Sequence, residues 1–253
     1  MKRRAFLKGS ITAAVAGSFA TGSNLAFAAD AREADAREYY ELRAYRLANA
    51  SQHDALDQFL QEAAIPALNR AGAKTVGVFS EIEPKENPSL FVLIPYPSLN
   101  AFAGGAALFR ENEELRKAAA DYIQTPKNTP AFKRIDTWLL HAFTGMPKLE
   151  LPSYSKQKKD RIFELRTYES YSEEKALRKI DMFNDGEIDI MREVGLAPVF
   201  YGQALVGANL PHLTYMLSGE NRDAHKKHWS GFTQHPGWKK ISGDSKYADT
   251  VSK

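Results

Sequence analysis

A short segment near the C-terminus concentrates the side chains best suited to chemistry. The stretch HKKHWSGFTQHPGW, residues 225–238, contains three of the chain's six histidines and two of its three tryptophans. His225 and His228 are three residues apart, so they share one face of a helix. Imidazoles titrate near neutral pH, and such a pair can transfer protons or bind a metal ion. A zinc site needs at least a third ligand. The spacing does not supply one, because His235 lies in a turn before a proline. We therefore predict no metal site.

An internal repeat organises the chain around this segment. The sequence YELRAY from Tyr40 to Tyr45 recurs as FELRTY from Phe163 to Tyr168, 123 positions later. The same offset relates Gly72 to Gly195 and several other identical pairs without a gap. Near the end the offset falls to 106, which places extra residues of the first copy within 104–126. Repeats of this length are duplicated domains rather than solenoid units.

Each copy has the pattern of a small α+β domain. A strand with alternating faces is followed by an amphipathic helix over 51–70, which ends at Gly72. Two strands, 75–82 and 90–96, a second helix and a last strand, 135–143, complete the unit. This order, βαββαβ, is the ferredoxin-like unit, whose antiparallel sheet has helices on one face only. We therefore predict an α+β fold of two tandem ferredoxin-like units that form an intrachain α/β barrel, with their sheets face to face.

The two ELR strands carry matching polar rows. Glu41, Arg43 and Tyr45 alternate onto one face of the first strand, and Glu164, Arg166 and Tyr168 do so in the second copy. If the leucines between them face the helices, these rows face the barrel interior. Buried charges must then be paired, because an unpaired charge costs several kcal/mol. The rows are either a structural ion-pair network or the wall of a ligand cavity.

The repeat also provides a control for the histidines. His225 corresponds to Phe102, which predicts a semi-buried side chain, and Trp238 corresponds to Phe132, which predicts a packing position. A buried polar ring needs a partner or a ligand. We expect His225, His228, Trp229 and His235 to lie near one end of the second unit, beside a cavity between helix and sheet.

The N-terminal residues have the composition of an export signal. Two adjacent arginines, Arg3 and Arg4, precede Phe-Leu-Lys, a short apolar run and the motif Ala26-Phe-Ala28, as in twin-arginine signal peptides. The run is shorter than the ~20 residues that a spanning helix needs. Removal of the signal lowers the formal charge from +3 to −1, which gives no electrostatic case for nucleic acid or a membrane surface. We predict a periplasmic protein without disulfides, since the chain has no cysteine.

These residues together resemble the NIPSNAP family of the dimeric α/β-barrel superfamily. The resemblance is carried by Glu164-Leu-Arg166 with Tyr168, by Gly195, and by His228-Trp229 followed by HPGW from His235. The first copy retains Glu41-Leu-Arg43 and Tyr45 but lacks the equivalents of Trp229 and His235. The predicted organisation is a signal at 1–28, NIPSNAP-like units at 38–143 and 161–242, a linker at 144–160 and a tail at 243–253.

The resemblance implies a barrel whose relatives include small monooxygenases and haem proteins. One functional class is therefore a periplasmic protein that acts on a small organic molecule, such as a cofactor-free oxygenase or an isomerase-like enzyme. The other is a non-catalytic ligand-binding or assembly protein. No cofactor is predicted, and haem stays a weaker alternative with His212, His225 or His228 as the axial ligand. The expected partners are a small-molecule ligand and a second copy of the chain. The candidate ligand-binding residues are Glu41, Arg43, Tyr45, Glu164, Arg166, Tyr168, His225, His228, Trp229 and His235.

Overall fold

A computed structural model describes residues 37–83, 87–157 and 159–251. They form an α+β fold in which one antiparallel sheet of seven strands is curled and carries helices on its outer face. The fold class predicted above is thereby confirmed. The export signal at residues 1–28 lies outside the described residues. None of the helices in the described part is long and apolar enough to cross a membrane.

The first unit has the complete ferredoxin-like order. Its strands are β1 Tyr39–Arg46, β2 Gly77–Ser80, β3 Ser89–Tyr96 and β4 Arg134–Ala142. Its helices are α1 Ala50–Phe59, α2 Ile65–Arg70, α3 Leu99–Glu111, α4 Glu113–Ala118 and α5 Ala120–Ile123. A π-helical turn, Leu60–Ala64, joins α1 to α2, and Pro66 follows it. The extra residues of this unit include α4 and α5.

The second unit follows a four-residue helix, α6 Ser153–Lys156. Its strands are β5 Ile162–Glu169, β6 Ala197–Val206 and β7 His212–Gly219. Its helices are α7 Glu173–Met182, α8 Ile188–Glu193, α9 Arg222–Gln234 and α10 Pro236–Ser242, with a π-helical turn, Phe183–Glu187, between α7 and α8. No fourth strand follows α10 within the residues described up to 251. A 3₁₀ turn, Ser245–Tyr247, lies there instead.

The two helix ends that carry glycine have the expected backbone. Gly72 and Gly195 follow α2 and α8 with φ of 105° and 87°. A side chain at such positive φ is strained, so glycine is favoured at both sites. This confirms the helix ends read from the sequence.

The seven strands form one continuous sheet in the order β2-β3-β1-β4-β6-β7-β5. The last strand of the first unit, β4, pairs with β1 on one side and with β6 of the second unit on the other. Two separate sheets facing each other were expected. The hydrogen bonds between β4 and β6 instead join them, and curling of the joined sheet brings their inner faces together.

The interior of the curled sheet is a shared apolar core. Leu42, Leu93 and Leu140 of the first unit pack there with Phe200 and Met216 of the second. Two further cores lie outside the sheet, one beneath the helices of each unit. The face of each sheet without helices is thus buried against the other unit.

The expected orientation of the polar rows is wrong. Leu42 and Leu165 face the barrel interior, whereas Tyr45 and Tyr168 pack beneath the helices. Because side chains alternate along a strand, the glutamates and arginines of both rows follow the tyrosines to the helix side. The interior is apolar, whereas the margin between helix and sheet lets charged groups reach water.

The segment between the units is held by hydrogen bonds from both. The backbone N–H of Glu38 donates to the carbonyl of Pro147, and that of Glu150 donates to the carbonyl of Val199. The Tyr154 hydroxyl donates to Ser218 Oγ at 2.7 Å. These contacts fix the segment at one end of the barrel.

Candidate functional site

Glu164 on β5 is the centre of a polar cluster beneath α9. One carboxylate oxygen, Oε2, accepts hydrogen bonds from Trp229 Nε1 and from His225 Nε2, both at 2.8 Å. The other, Oε1, accepts from Arg166 Nη1 at 2.9 Å. His225 and Trp229 are four residues apart on α9, so they lie one turn apart on the same face. The structure thus brings together four of the predicted residues.

His225 is buried, as predicted from its apolar counterpart. Its side chain is 9% exposed, and its Nε2 atom lies 2.8 Å from Glu164 Oε2. Since an ionised carboxylate can only accept, we assign the proton of this hydrogen bond to His225 Nε2. The Nδ1 atom is buried and has no hydrogen-bond partner among the described residues. It faces Gly219, where an added Cβ would lie 3.0 Å from it. Since this nitrogen is closed off, the geometry suits His225 to orienting Glu164 rather than to removing a proton from a substrate.

Arg166 connects the carboxylate to a pair of tyrosines. Its Nη2 atom donates to the Tyr168 hydroxyl at 3.1 Å, and the Tyr215 hydroxyl donates to the same oxygen at 3.0 Å. The guanidinium lies over the Trp229 ring, with the carbon 4.7 Å from the ring centre. Its Nε atom is buried without a partner among the described residues. The cluster reaches solvent through Glu164 and Arg166, whose side chains are 32% and 34% exposed.

The cluster keeps Glu164 ionised. Burial acts to raise the pKa of this carboxyl, but the hydrogen bonds from His225 and Trp229 and the charge of Arg166 outweigh it and hold the pKa at about 2. Burial also raises the pKa of the Tyr215 hydroxyl, which keeps it neutral and able to donate. The site therefore presents a fixed negative charge beside a fixed positive one.

The low pKa of Glu164 predicts acid sensitivity. A depressed folded-state pKa contributes stability that is present above the ordinary value of 4.5 and is lost as the pH falls towards about 2. The difference in unfolding free energy between the parent and Glu164→Gln should therefore shrink over this pH range. Urea titrations between pH 6 and 2.5 measure it, with the exposed Glu174→Gln as the control. A difference that does not vary with pH would contradict the assigned hydrogen bonds.

A buried ion pair lies deeper in the same unit. Lys179 Nζ donates to Glu187 Oε2 at 2.7 Å, and the two side chains are only 5% and 2% exposed. The Lys179 ammonium also lies 4.6 Å from the centre of the Phe183 ring. Glu187 ends the π-helical turn, in which Gly186 has a φ of 149°. Burial raises the pKa of Glu187, whereas the charges of Lys179 and Arg166 oppose this shift.

Sequence reasoning did not single out Lys179 and Glu187. The repeat could have identified them, because the 123-residue offset places Lys179 opposite Leu56 and Glu187 opposite Ala64. A charge where the other copy has an aliphatic residue indicates either a partner or a ligand. The structure shows that the two charges are each other's partners.

In the first unit, the equivalent glutamate, Glu41, has different hydrogen-bond partners. Glu41 accepts from Arg43 at 2.6 and 3.0 Å and from the Tyr96 hydroxyl at 3.0 Å. Phe102 packs edge-on against Tyr96, with ring centres 5.6 Å apart. Tyr45 is buried, with its ring edge-on to an aromatic neighbour. Glu41, Arg43 and Tyr45 therefore form a compact ion pair and core contact without the histidine and tryptophan of the second unit.

The remaining predicted histidines lie outside this cluster. His228 packs against Gly195, where an added Cβ would lie 3.1 Å from the ring. His235 caps α10, since its Nδ1 accepts from the Gly237 N–H at 3.1 Å, and its Nε2 lies 3.3 Å from Glu193. His212 is buried on β7, where burial lowers its pKa. Within the described ranges, no three His, Cys, Asp or Glu side chains are grouped to hold a metal ion.

The surroundings of His225 do not fit haem. Any axial histidine would need a free nitrogen facing a space large enough for the macrocycle. His225 Nε2 is bonded to Glu164, and the space beneath the helices is filled by the buried rings of Phe183, Tyr201, Tyr215 and Phe232. A cavity of about 740 Å³ in the first unit has no histidine among its described lining residues.

The fold and the site define this chain as a ferredoxin-like α/β-barrel protein with a polar cluster between helix and sheet. Residues 163–253, which span the second unit, match the NIPSNAP family model. The match includes Glu164, Arg166, His225 and Trp229. No curated protein matches the chain.

Solved structures share the fold at low sequence identity. A candidate monooxygenase from Fusobacterium nucleatum is 10% identical and aligns with a TM-score of 0.52 over 86% of this chain and 89% of its own. Another candidate monooxygenase, from Lactobacillus acidophilus, is 11% identical, with a TM-score of 0.50 over 81% and 85%. A haem-binding protein from Thermus thermophilus aligns with a TM-score of only 0.43, at 12% identity over 84% and 86%. The likeness to the two candidate monooxygenases shows the fold alone.

Proposed function

We propose that the second unit binds a small organic molecule at the polar cluster of Glu164, Arg166, Tyr168, His225 and Trp229. The observation that carries this proposal is the difference between the two units. The first unit builds the same layers with the Glu41–Arg43 ion pair, the Tyr96 hydroxyl and Phe102, so the fold does not require the second unit's histidine and tryptophan. A polar set that the fold does not require is best explained by a ligand.

The contacts indicate what such a ligand carries. Arg166 Nε is a donor without a partner in the described residues, so a ligand carbonyl or carboxylate would satisfy it after a small shift of the side chain. The ring of Trp229 offers an apolar surface beside that donor. Because the free nitrogen of His225 faces Gly219, the proposal is one of binding and orientation. The two candidate monooxygenases suggest oxygenation, but their likeness to this chain extends to the fold only.

The test compares equivalent arginines of the two units. Absorbance and native mass spectra of protein from its own compartment first show whether a molecule copurifies. Aromatic carboxylic acids and ketones are then screened by thermal shift, where ligand at a hundred times its dissociation constant adds about 2.7 kcal/mol of stability. Arg166→Gln and His225→Phe should abolish the shift, whereas Arg43→Gln should retain it. Equal loss in Arg43→Gln, or no shift with any ligand, would refute the proposal.

We further propose that the two units are copies of one NIPSNAP-like domain. Every element from β1 to α2 has a counterpart starting and ending 123 positions later, including the π-helical turns, and β3 and α3 relate to β7 and α9 in the same way. The common position of a rare π-helical turn supports duplication better than convergence does.

We also propose export by the twin-arginine route, on the sequence of residues 1–28 alone. Changing Arg3 and Arg4 together to lysine keeps the charge and removes the paired guanidinium groups. This variant should remain in the cytoplasm, whereas changing only Lys8 to arginine should leave export intact. Immunoblots of periplasmic and cytoplasmic fractions measure the outcome. Normal periplasmic accumulation of the double-lysine variant would show that a different route is used.

A further inference from the structure

A small cavity lies at the place where the two ends of the curled sheet meet. The strands β2 and β5 are at opposite ends of the strand order, yet the rings of Phe79 on β2 and Phe163 on β5 have centres 4.9 Å apart. Beside these rings lies a cavity of about 270 Å³, which we call the inner cavity. Leu93, Leu149 and Val199 of the interior core line it as well, so both units and the segment between them contribute.

The repeat shows what fills the corresponding space in the other half of the barrel. The 123-residue offset relates Phe163 to Tyr40 and Phe79 to Gly202. Leu140 on β4 packs against both, since it is opposite Tyr40 in the sheet and its Cβ is 2.7 Å from where a Cβ added at Gly202 would lie. In the second unit, α10 and a 3₁₀ turn replace the strand that would correspond to β4. The described part of that unit therefore has no side chain in the place of Leu140, and the inner cavity is left.

The lining of the inner cavity is mainly apolar. Val76, Val78 and Leu151 complete the apolar wall. Arg161 also lines the cavity, but this residue is exposed and its guanidinium donates to the carbonyl of Lys159 at 2.8 Å. The charge of Arg161 is therefore solvated, and a molecule in the cavity needs no opposite charge. Because burial of an unpaired charge is costly, this lining selects a neutral molecule.

Ser155 supplies a buried polar group to this lining. Its hydroxyl, on the short helix α6, is buried and has no hydrogen-bond partner among the described residues. Buried hydroxyls normally bond to protein, to water or to a ligand, because an unsatisfied one destabilises the fold. The apolar wall favours an organic molecule over water, which needs roughly two to four polar partners. The adjacent Tyr154 donates to Ser218 Oγ at 2.7 Å and so fixes the segment that carries Ser155.

We propose that the inner cavity binds a neutral two-ring aromatic molecule with one hydroxyl or carbonyl group, which bonds to the Ser155 hydroxyl. The size follows from the volume, since an apolar cavity of roughly 150 Å³ holds one benzene ring. The aromatic class follows from Phe79 and Phe163, whose rings meet edge to face and offer the same contact to a further ring. This site is separate from the polar cluster, because Phe163 and Glu164 lie on opposite faces of β5. It does not depend on the ligand proposed there.

The probe is 2-naphthol, which has two fused rings and one hydroxyl, and naphthalene is its matched hydrocarbon. Equilibrium dialysis against the purified protein measures the dissociation constant of each. Leu149→Trp places a larger side chain in the inner cavity and should abolish saturable binding of both, whereas the same change at the exposed Leu177 on α7 should leave it intact. Ser155→Ala should weaken binding of 2-naphthol roughly three- to tenfold and leave that of naphthalene unchanged, since only the hydrogen bond is lost. Thermal melts confirm that each variant is folded.

Three outcomes would overturn the proposal. The first is the absence of saturable binding of 2-naphthol by the parent protein up to the solubility limit. The second is unchanged binding in a folded Leu149→Trp variant, or equal effects of Ser155→Ala on 2-naphthol and naphthalene; the Ser155 comparison decides alone if Leu149→Trp does not fold. The third is loss of 2-naphthol binding in Arg166→Gln, which would assign the molecule to the polar cluster. Retention of binding in Arg166→Gln is expected and distinguishes this site from the proposed function.

Discussion

Replacing Lys179 alone by leucine is expected to destabilise the protein by about 3–5 kcal/mol at neutral pH, because it leaves the buried carboxylate of Glu187 without a counter-ion. The loss should shrink at acidic pH. Burial raises the folded-state pKa of Glu187, so its cost is present at high pH and is relieved when the carboxyl is protonated. Urea unfolding at pH 7 and pH 5 measures both effects.

Two further variants test whether the stability effect comes from the coupling of Lys179 with Glu187. Glu187→Ala should cost less than Lys179→Leu, because Lys179 retains the Met182 sulfur at 3.3 Å and the face of the Phe183 ring. The double variant Lys179→Leu, Glu187→Ala carries the residue types that the first unit has at Leu56 and Ala64. It should recover most of the unfolding free energy that is lost in the single variants. Losses that simply add, or single losses below about 1 kcal/mol, would contradict a coupled buried pair.

Gly219→Tyr is expected to destabilise the second unit by about 1–3 kcal/mol through overpacking. A Cβ added at Gly219 would lie 2.9 Å from the Cβ of His225. In the first unit Tyr96 occupies the equivalent position, with Phe102 and Gly105 where the second unit has His225 and His228. A Cβ added at Gly105 would lie 3.0 Å from the Tyr96 hydroxyl. The three positions therefore change together between the units.

The triple variant Gly219→Tyr, His225→Phe, His228→Gly transfers the first unit's set to the second. It should recover most of the unfolding free energy lost in Gly219→Tyr. The recovery should fall short by about 0.5–1 kcal/mol, because His228→Gly places a glycine within a helix. The new tyrosine should donate to Glu164 as Tyr96 does to Glu41. Urea unfolding of the single and triple variants gives the comparison. A triple variant no more stable than Gly219→Tyr would show that the two units do not use interchangeable packing.

The sequence by itself predicted most of the elements and the burial of His225. The last strand that the repeat predicted for the second unit is wrong, because α10 and a 3₁₀ turn occupy that part of the described chain. Alternation in YELRAY and FELRTY, the amphipathic helix before Gly72 and Gly195, and the constant offset predicted the order of strands and helices, because these depend on neighbouring residues. The comparison of His225 with Phe102 predicted an inward side chain that needs a partner. Glu164 and Trp229 were both among the predicted residues.

Only the tertiary structure decided which face of β5 carries which chemistry. Alternation shows that Glu164, Arg166 and Tyr168 share a face, but it does not tell which face meets the helices, because a strand with helices on one side and a second unit on the other is covered on both. The pairing of β4 with β6 settled this, since it encloses Leu42 and Leu165 in the barrel. The partnership of Lys179 with Glu187 likewise depends on the π-helical turn that brings them together.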